Sequence, residues 1–207
     1  SLQDSKTGKW RSFLSTFENV QNSKNHIFTT LCEVSPGIIW AGGYFSGLYQ
    51  IDKRTSKTTY FTPASYAHES IRPDKYIRDI RKDSRGYVWS GGYYNLKRIN
   101  VQTKDIRLYH GLHSVTAIIE KDDKSMWIGT ATGLFLLDIE SGKYERIQLP
   151  VESTYVYSLY QTKQGSLYIG TSGSGVLIYD PQTKLFTHYY TGNCAMISNN
   201  IYTILSD

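Results

Sequence analysis

Short apolar and aromatic runs alternate along the chain with clusters of Asp, Ser, Gly, Thr and Lys. Runs of this length bounded by turn formers predict β-strands joined by tight turns, not helices. The runs fall into sets of four. One set reads Ile77-Arg78-Asp79-Ile80, Val88-Trp89-Ser90-Gly91, Leu96-Lys97-Arg98-Ile99 and Ile106-Arg107-Leu108-Tyr109, with Asp83-Ser84-Arg85-Gly86 after the first run. The following set opens on Val115-Thr116-Ala117-Ile118, continues through Met126-Trp127-Ile128-Gly129-Thr130 and Gly133-Leu134-Phe135-Leu136-Leu137, and closes on Tyr144-Glu145-Arg146-Ile147. A later set begins at Val156-Tyr157-Ser158-Leu159, and the earliest at Ile27-Phe28-Thr29-Thr30. Each set predicts a four-stranded antiparallel meander.

The first run of each set carries bulky residues on both faces, as with Val156 and Tyr160 against Tyr157 and Leu159, so both faces of the sheet must be covered. Its third position is short in every copy: Thr29, Asp79, Ala117, Ser158 and Thr203. The aromatic two places before a glycine recurs at Trp40, Trp89, Trp127 and Tyr168, 49, 38 and 41 residues apart. That is the period of propeller blades. The fold class is therefore all-β, a partial β-propeller of about four four-stranded antiparallel blades. Short side chains suit strands crowded round an axis, and the tryptophans suit filling between blades.

Full units are expected at 27–67, 77–110, 115–149 and 156–190, within one partial propeller spanning 1–207. Incomplete units are expected at 1–18, where Lys9-Trp10-Arg11 matches an outermost strand, and at 198–207, where Ile201-Tyr202-Thr203-Ile204 matches an innermost one. These fragments do not sum to one blade, which predicts a parent protein with more blades. Uncovered blade faces and free strand edges predict homo-oligomerisation or an open arc.

Composition agrees with strands and tight turns: 18 Tyr and 17 Gly against 2 Met, with 14% aromatic residues. No run approaches the roughly 18 to 20 apolar residues of a membrane helix. The net charge of +5 suits an anionic partner, but the basic clusters at Lys53-Arg54, Arg78 to Lys82 and Lys97-Arg98 are scattered and read as solvated faces, without nucleic-acid contact. Cys32 and Cys194 have no zinc-like spacing and read as ordinary thiols. His26, His68, His110, His113 and His188 lie in no metal, triad or nucleophile motif, so no catalytic residue, metal or cofactor is assigned.

The order Val-x-x-Ile, Asp-x-x-Gly, Leu-Trp-Ile-Gly-Thr, Gly-Leu-x-x-Tyr-Asp resembles the two-component regulator propeller repeat. Met126-Trp127-Ile128-Gly129-Thr130-Ala131-Thr132-Gly133-Leu134 is near its consensus, whereas the Trp89 unit departs with Ser90-Gly91-Gly92 and Asn95-Leu96. The resemblance implies the periplasmic sensor region of an inner-membrane hybrid two-component protein of the Bacteroides type. It further implies a histidine kinase elsewhere in the parent, oligosaccharide as the signal, and control of carbohydrate utilisation.

In a propeller, the loops between strands two and three open on the same face as those joining one blade to the next. On that face Tyr44, Phe45, Tyr93 and Tyr94 could stack on sugar rings, with Asn95 and Ser174 as hydrogen-bonding partners. The long connection from Thr62 to Tyr76 carries His68, Glu69 and Arg72 and is a candidate contact surface. A propeller enzyme acting on glycans, with His68 or Glu69 as its reactive group, and a pure dimerisation or protein-binding scaffold are the alternatives.

Overall fold

The computed structural model describes residues 27–44, 47–61 and 76–205, together with the backbone of residues 2–3 and 10–11. β1 (Leu2–Gln3) and β2 (Trp10–Arg11) pair antiparallel. The first sheet comprises β3 (Ile27–Ser35), β4 (Ile38–Tyr44), β5 (Gly47–Asp52) and β6 (Lys57–Tyr60). The second comprises β7 (Ile77–Lys82), β8 (Val88–Gly92), β9 (Leu96–Ile99) and β10 (Ile106–Tyr109). The third comprises β11 (Val115–Glu120), β12 (Ser125–Thr130), β13 (Gly133–Asp138) and β14 (Tyr144–Ile147). The fourth comprises β15 (Val156–Gln161), β16 (Leu167–Thr171), β17 (Val176–Asp180) and β18 (Leu185–Tyr189). Each is an antiparallel meander in sequence order, and the innermost strands β3, β7, β11 and β15 lie side by side in succession. This is the partial propeller that the repeats predict.

The turn from the third to the fourth strand is built the same way in all four sheets. The side chain of Asp52, Asn100, Asp138 or Asp180 accepts a backbone N–H from Arg54, Gln102, Ser141 or Gln182 at 2.7–2.9 Å. Short carboxylates and amides favour such turns because the side chain mimics a backbone acceptor. The turn then needs one left-handed residue, supplied by Ser56, Lys104, Gly142 and Lys184.

Successive sheets meet at three apolar seams. Trp40 packs with Phe61, Ile77, Ile80 and Val88 in the first, and Trp89 with Tyr109, Val115, Ile118 and Met126 in the second. Trp127 packs with Val156, Leu159 and Tyr179 in the third. All three indoles are essentially inaccessible to solvent, as their expected packing role requires. Tyr168, their counterpart in the fourth sheet, is only half-buried and rests its ring on Tyr160. The Trp89 indole N–H donates to the buried Asp83 carboxylate at 2.9 Å, and Tyr87 N–H and Arg98 also reach that carboxylate. The positions six residues before Trp40 and Trp127 are Val34 and Lys121, and those two indole nitrogens have no hydrogen-bond partner among the described residues.

The glycine two places after each aromatic lies under the first residue of the next innermost strand. A Cβ on Gly42 would stand 2.6 Å from Ile77 Cγ2, and one on Gly129 2.7 Å from Val156 Cγ1. Gly91 meets Val115, and Gly170 meets Ile201, in the same way. Ile201 also donates its N–H to Thr171 at 2.9 Å and accepts from Ser158 Oγ at 3.3 Å. Residues 201–205, expected as a strand, join no ladder among the described residues; a strand needs a paired neighbour, and here Ile201 takes the seam position alone.

Every innermost strand carries a register shift near its start, at Phe28/Thr30, Ile77/Asp79, Val115/Ala117 and Val156/Ser158. These β-bulges correct the expected alignment of the first unit by one residue. Thr30, not Thr29, stands opposite Gly42, as Asp79, Ala117 and Ser158 stand opposite Gly91, Gly129 and Gly170. The extra pair Ile27↔Tyr44 lengthens β3 at its start and accounts for the offset. Thr30 Oγ1 accepts from Ile80 N–H at 3.2 Å and Asp79 Oδ2 from Ile118 N–H at 2.8 Å, so the short side chains tie each innermost strand to the next.

Gly129→Ala is expected to cost about 1–3 kcal/mol, as overpacking does. In urea denaturation, a double-mutant cycle with Val156→Ala should reveal coupling above about 0.5 kcal/mol; additive costs would mean that the two sheets do not meet there.

Burial pushes the Asp79 carboxyl up from the ordinary carboxylate range, only partly opposed by Arg81 and the Ile118 N–H. Between the unfolded pKa and the raised folded one, the folded state therefore holds a proton that the unfolded chain releases. Its contribution favours folding below the unfolded pKa and is lost as pH rises through the raised folded value. Asp79→Asn, which keeps an acceptor, should remove this dependence in unfolding curves taken from about pH 4 upward. Asp79→Ala should cost about 1–3 kcal/mol because the Ile118 N–H loses its partner.

Candidate functional site

The turn from β8 to β9 and the segment entering β7 bring the predicted tyrosines together. Tyr93 donates its backbone N–H to Tyr76 at 3.1 Å, and Ser114 donates to the Tyr93 carbonyl at 3.0 Å, fixing this turn between its own sheet and the next. A bridge pairs Tyr44 with Tyr76. The result is a row of four rings: Tyr44 to Tyr76 at 6.0 Å, Tyr76 to Tyr93 at 6.2 Å and Tyr93 to Tyr94 at 5.0 Å. Tyr93 and Tyr94 are 54% and 42% exposed, enough to offer ring faces to solvent, whereas Tyr44 and Tyr76 are half-buried and support them. His113 Nδ1 donates to the Tyr94 carbonyl and pins the end of the row.

Asn95 is half-buried in the same turn. Ser174 is committed to its own hairpin: its N–H donates to Thr171 Oγ1, and its carbonyl accepts from His188. Phe45, His68, Glu69 and Arg72 lie outside the described residues. Tyr76, the residue that joins the row, was treated in the sequence only as the end of a long loop. Its position directly before an innermost strand was the available signal.

A second group lies around the axis, and sequence reasoning missed it. Arg78 is the residue bulged out of β7, as Thr29, Thr116 and Tyr157 are in β3, β11 and β15. Thr29 and Thr116 use their hydroxyls to donate to the first carbonyl of the neighbouring innermost strand, Ile77 and Val156. Arg78 instead reaches past β11 and donates from Nη1 to the Tyr155 hydroxyl, just before β15. Tyr155 lies 4.8 Å from Tyr157, and Tyr157 4.8 Å from Tyr202. The axial surface is thus a guanidinium beside three phenol rings.

A cleft of about 440 Å³ opens at the other end of the strands, lined by Val34, Lys82, Arg85, Tyr87, Asn100 and Gln102. Its Arg85 is engaged by Glu140 at 3.4 Å and its Asn100 caps the turn that follows. Both cysteines are free, and no cluster of metal-ligating side chains occurs among the described residues.

Residues 150–173, which include the first two strands of the fourth sheet, match the family model described as the two component regulator propeller. No curated protein matches the chain. The extracellular domain of a B. thetaiotaomicron protein, described both as a putative one component and as a putative hybrid two component system, aligns at 22% and 21% identity with TM-scores of 0.73 and 0.72. That alignment covers 92% of this chain and 26% of that one, so the chain spans about a quarter of its length. The extracellular domain of a second putative hybrid two component system from the same organism aligns at 17% identity and TM-score 0.67, over 82% of this chain and 25% of that one. Virginiamycin B lyase from Staphylococcus aureus aligns at 15% identity and TM-score 0.63, over 78% and 55%. Similarity at this level establishes the shared fold.

Tyr76→Ala removes the ring that contacts both Tyr44 and Tyr93, and should cost about 1–3 kcal/mol at roughly 0.5–1.5 per aromatic pair. Tyr93→Ala also loses two ring pairs, but at a ring 54% exposed to solvent, and should cost less than Tyr76→Ala. Thermal unfolding of the two variants side by side checks this order.

Proposed function

We propose that this chain is part of the extracytoplasmic sensor region of a hybrid two-component regulator, periplasmic in location, and that it takes oligosaccharides as its signal. The observation that carries the reading is the exposed row ending in Tyr93 and Tyr94, on the face where the inter-sheet connections gather. Flat phenol faces bury the C–H faces of pyranose rings while their hydroxyls remain hydrogen-bonded, an arrangement that suits polar, weakly hydrophobic ligands. The two component regulator propeller repeat at 150–173 and the likeness to extracellular domains of such systems support the sensor context. The module acts by binding, not by chemistry. Its output runs through a histidine kinase elsewhere in the parent and through genes of carbohydrate utilisation.

Calorimetric titration of the whole sensor region with a panel of oligosaccharides should give saturable binding. Tyr93→Ala and Tyr94→Ala should each weaken it roughly 3- to 10-fold, the worth of one aromatic contact. Absence of binding to any saccharide would overturn the ligand assignment, and formation of a cleaved product would overturn the non-catalytic one.

A further inference from the structure

The axial group is chemically unlike the row of tyrosines. A guanidinium is always charged, and its planar fork of donors matches a carboxylate or sulfate in a way a neutral hydroxyl cannot. Arg78 is half-buried, which withdraws it from part of its hydration, and its described hydrogen bond is to the neutral hydroxyl of Tyr155. The ion pairs formed among the described residues are Lys53–Glu33, Arg81–Asp79, Arg85–Glu140, Arg98–Asp83 and Lys121–Asp122, and none involves Arg78. The nearest carboxylate in sequence, Asp79, is committed to Arg81 and to the Ile118 N–H. A cation is thus held at a phenol hydroxyl with no carboxylate paired to it among the described residues.

The backbone makes this placement specific. The β-bulge turns Arg78 out of the ladder, and its guanidinium spans the intervening β11 to reach Tyr155. Tyr155, Tyr157 and Tyr202 continue from that point as a tilted stack, with interplanar angles of 47° and 39°. Tyr202 is 69% exposed, so the stack opens to solvent at its end. A ligand with an acid group at one end and ring faces along its length meets both features. Its acid displaces the Tyr155 hydroxyl from Arg78, and its rings lie along the tyrosines.

We propose that Arg78, Tyr155, Tyr157 and Tyr202 form a subsite for the acidic sugar of an oligosaccharide, a uronic-acid residue whose carboxylate pairs with the Arg78 guanidinium. The proposal rests on the ligand-sensing reading above and narrows its substrate class from oligosaccharides in general to anionic ones. The chain's net charge of +5 favours approach of such ligands.

The test is calorimetric titration of the whole sensor region with three probes: digalacturonic acid, its neutral counterpart digalactose, and a sulfated disaccharide. The acidic probe should bind at least about tenfold more tightly than the neutral one, and added salt should narrow the gap. Arg78→Gln should weaken binding of the acidic probe roughly 10- to 100-fold and leave the neutral probe within about twofold. Arg78→Lys, which keeps the charge and loses the fork, should recover part of the loss. Tyr157→Ala should weaken both probes, and far-ultraviolet circular dichroism of each variant separates loss of binding from loss of fold. Preference for the sulfated probe that Arg78→Gln abolishes would retain the anionic subsite and overturn the uronic-acid assignment. Equal binding of acidic and neutral probes, or an acidic preference unchanged in Arg78→Gln, would overturn the proposal and leave the sensing reading standing. Binding of none of the probes, with neutral saccharides bound elsewhere on the panel, would also overturn it, whereas silence across the whole panel would remove the sensing reading as well.

Discussion

The close approach of each innermost strand to a glycine of the preceding sheet is the contact on which the rest of the structure depends. With no Cβ at Gly42, Gly91, Gly129 and Gly170, the leading residues Ile77, Val115, Val156 and Ile201 settle directly on backbone. That proximity fixes how closely neighbouring sheets pack at these positions. Beside three of these contacts an indole fills the seam, with smaller aliphatic residues around it. A glycine and a tryptophan two residues apart on one strand thus serve close approach and space filling in the same seam.

Once strands are that close, their polar backbone groups must be paired across the seam. The small position opposite the glycine does this with Thr30, Asp79 or Ser158, and the β-bulge beside it adds Thr29 and Thr116. Asp79 is the costly member of the set, since its carboxyl is withdrawn from water and the Ile118 N–H and Arg81 only partly offset that burial. The bulges also decide what lines the axis. They lift one side chain per sheet out of the ladder: Thr29 and Thr116 bond to the neighbouring innermost strand, Arg78 reaches Tyr155, and Tyr157 meets two other rings.

This division explains what could be read from the sequence. The meanders, the seam tryptophans and the loop positions of Tyr93 and Tyr94 were legible because packing repeats them in every unit or places them between recognisable strands, whereas Tyr44, expected in a loop, ends β4. The alignment of the first unit was legible in principle: Thr30, Asp79, Ala117 and Ser158 all precede the seam aromatic by ten residues, whereas Thr29 precedes Trp40 by eleven. The axial group was not legible, because its bulged members are Thr, Arg, Thr and Tyr, with no shared chemistry to align. The meeting of Arg78 with Tyr155, 77 residues away, depends on how the sheets turn about the axis. Phe45, His68 and Arg72 lie on connections outside the described residues, so the structure neither joins them to the tyrosine row nor separates them from it.

The seam contacts join nearest neighbours and repeat one glycine contact from unit to unit, so insertion or loss of a whole repeat would leave a seam of the same kind between the units that remain. The Arg78–Tyr155 contact is different in kind. It skips one sheet, and it holds while a single unit lies between its partners. Duplicating or deleting that unit would keep a seam of the same kind between neighbours and still separate the pair. In an architecture that otherwise tolerates changes of copy number, this contact counts the blades.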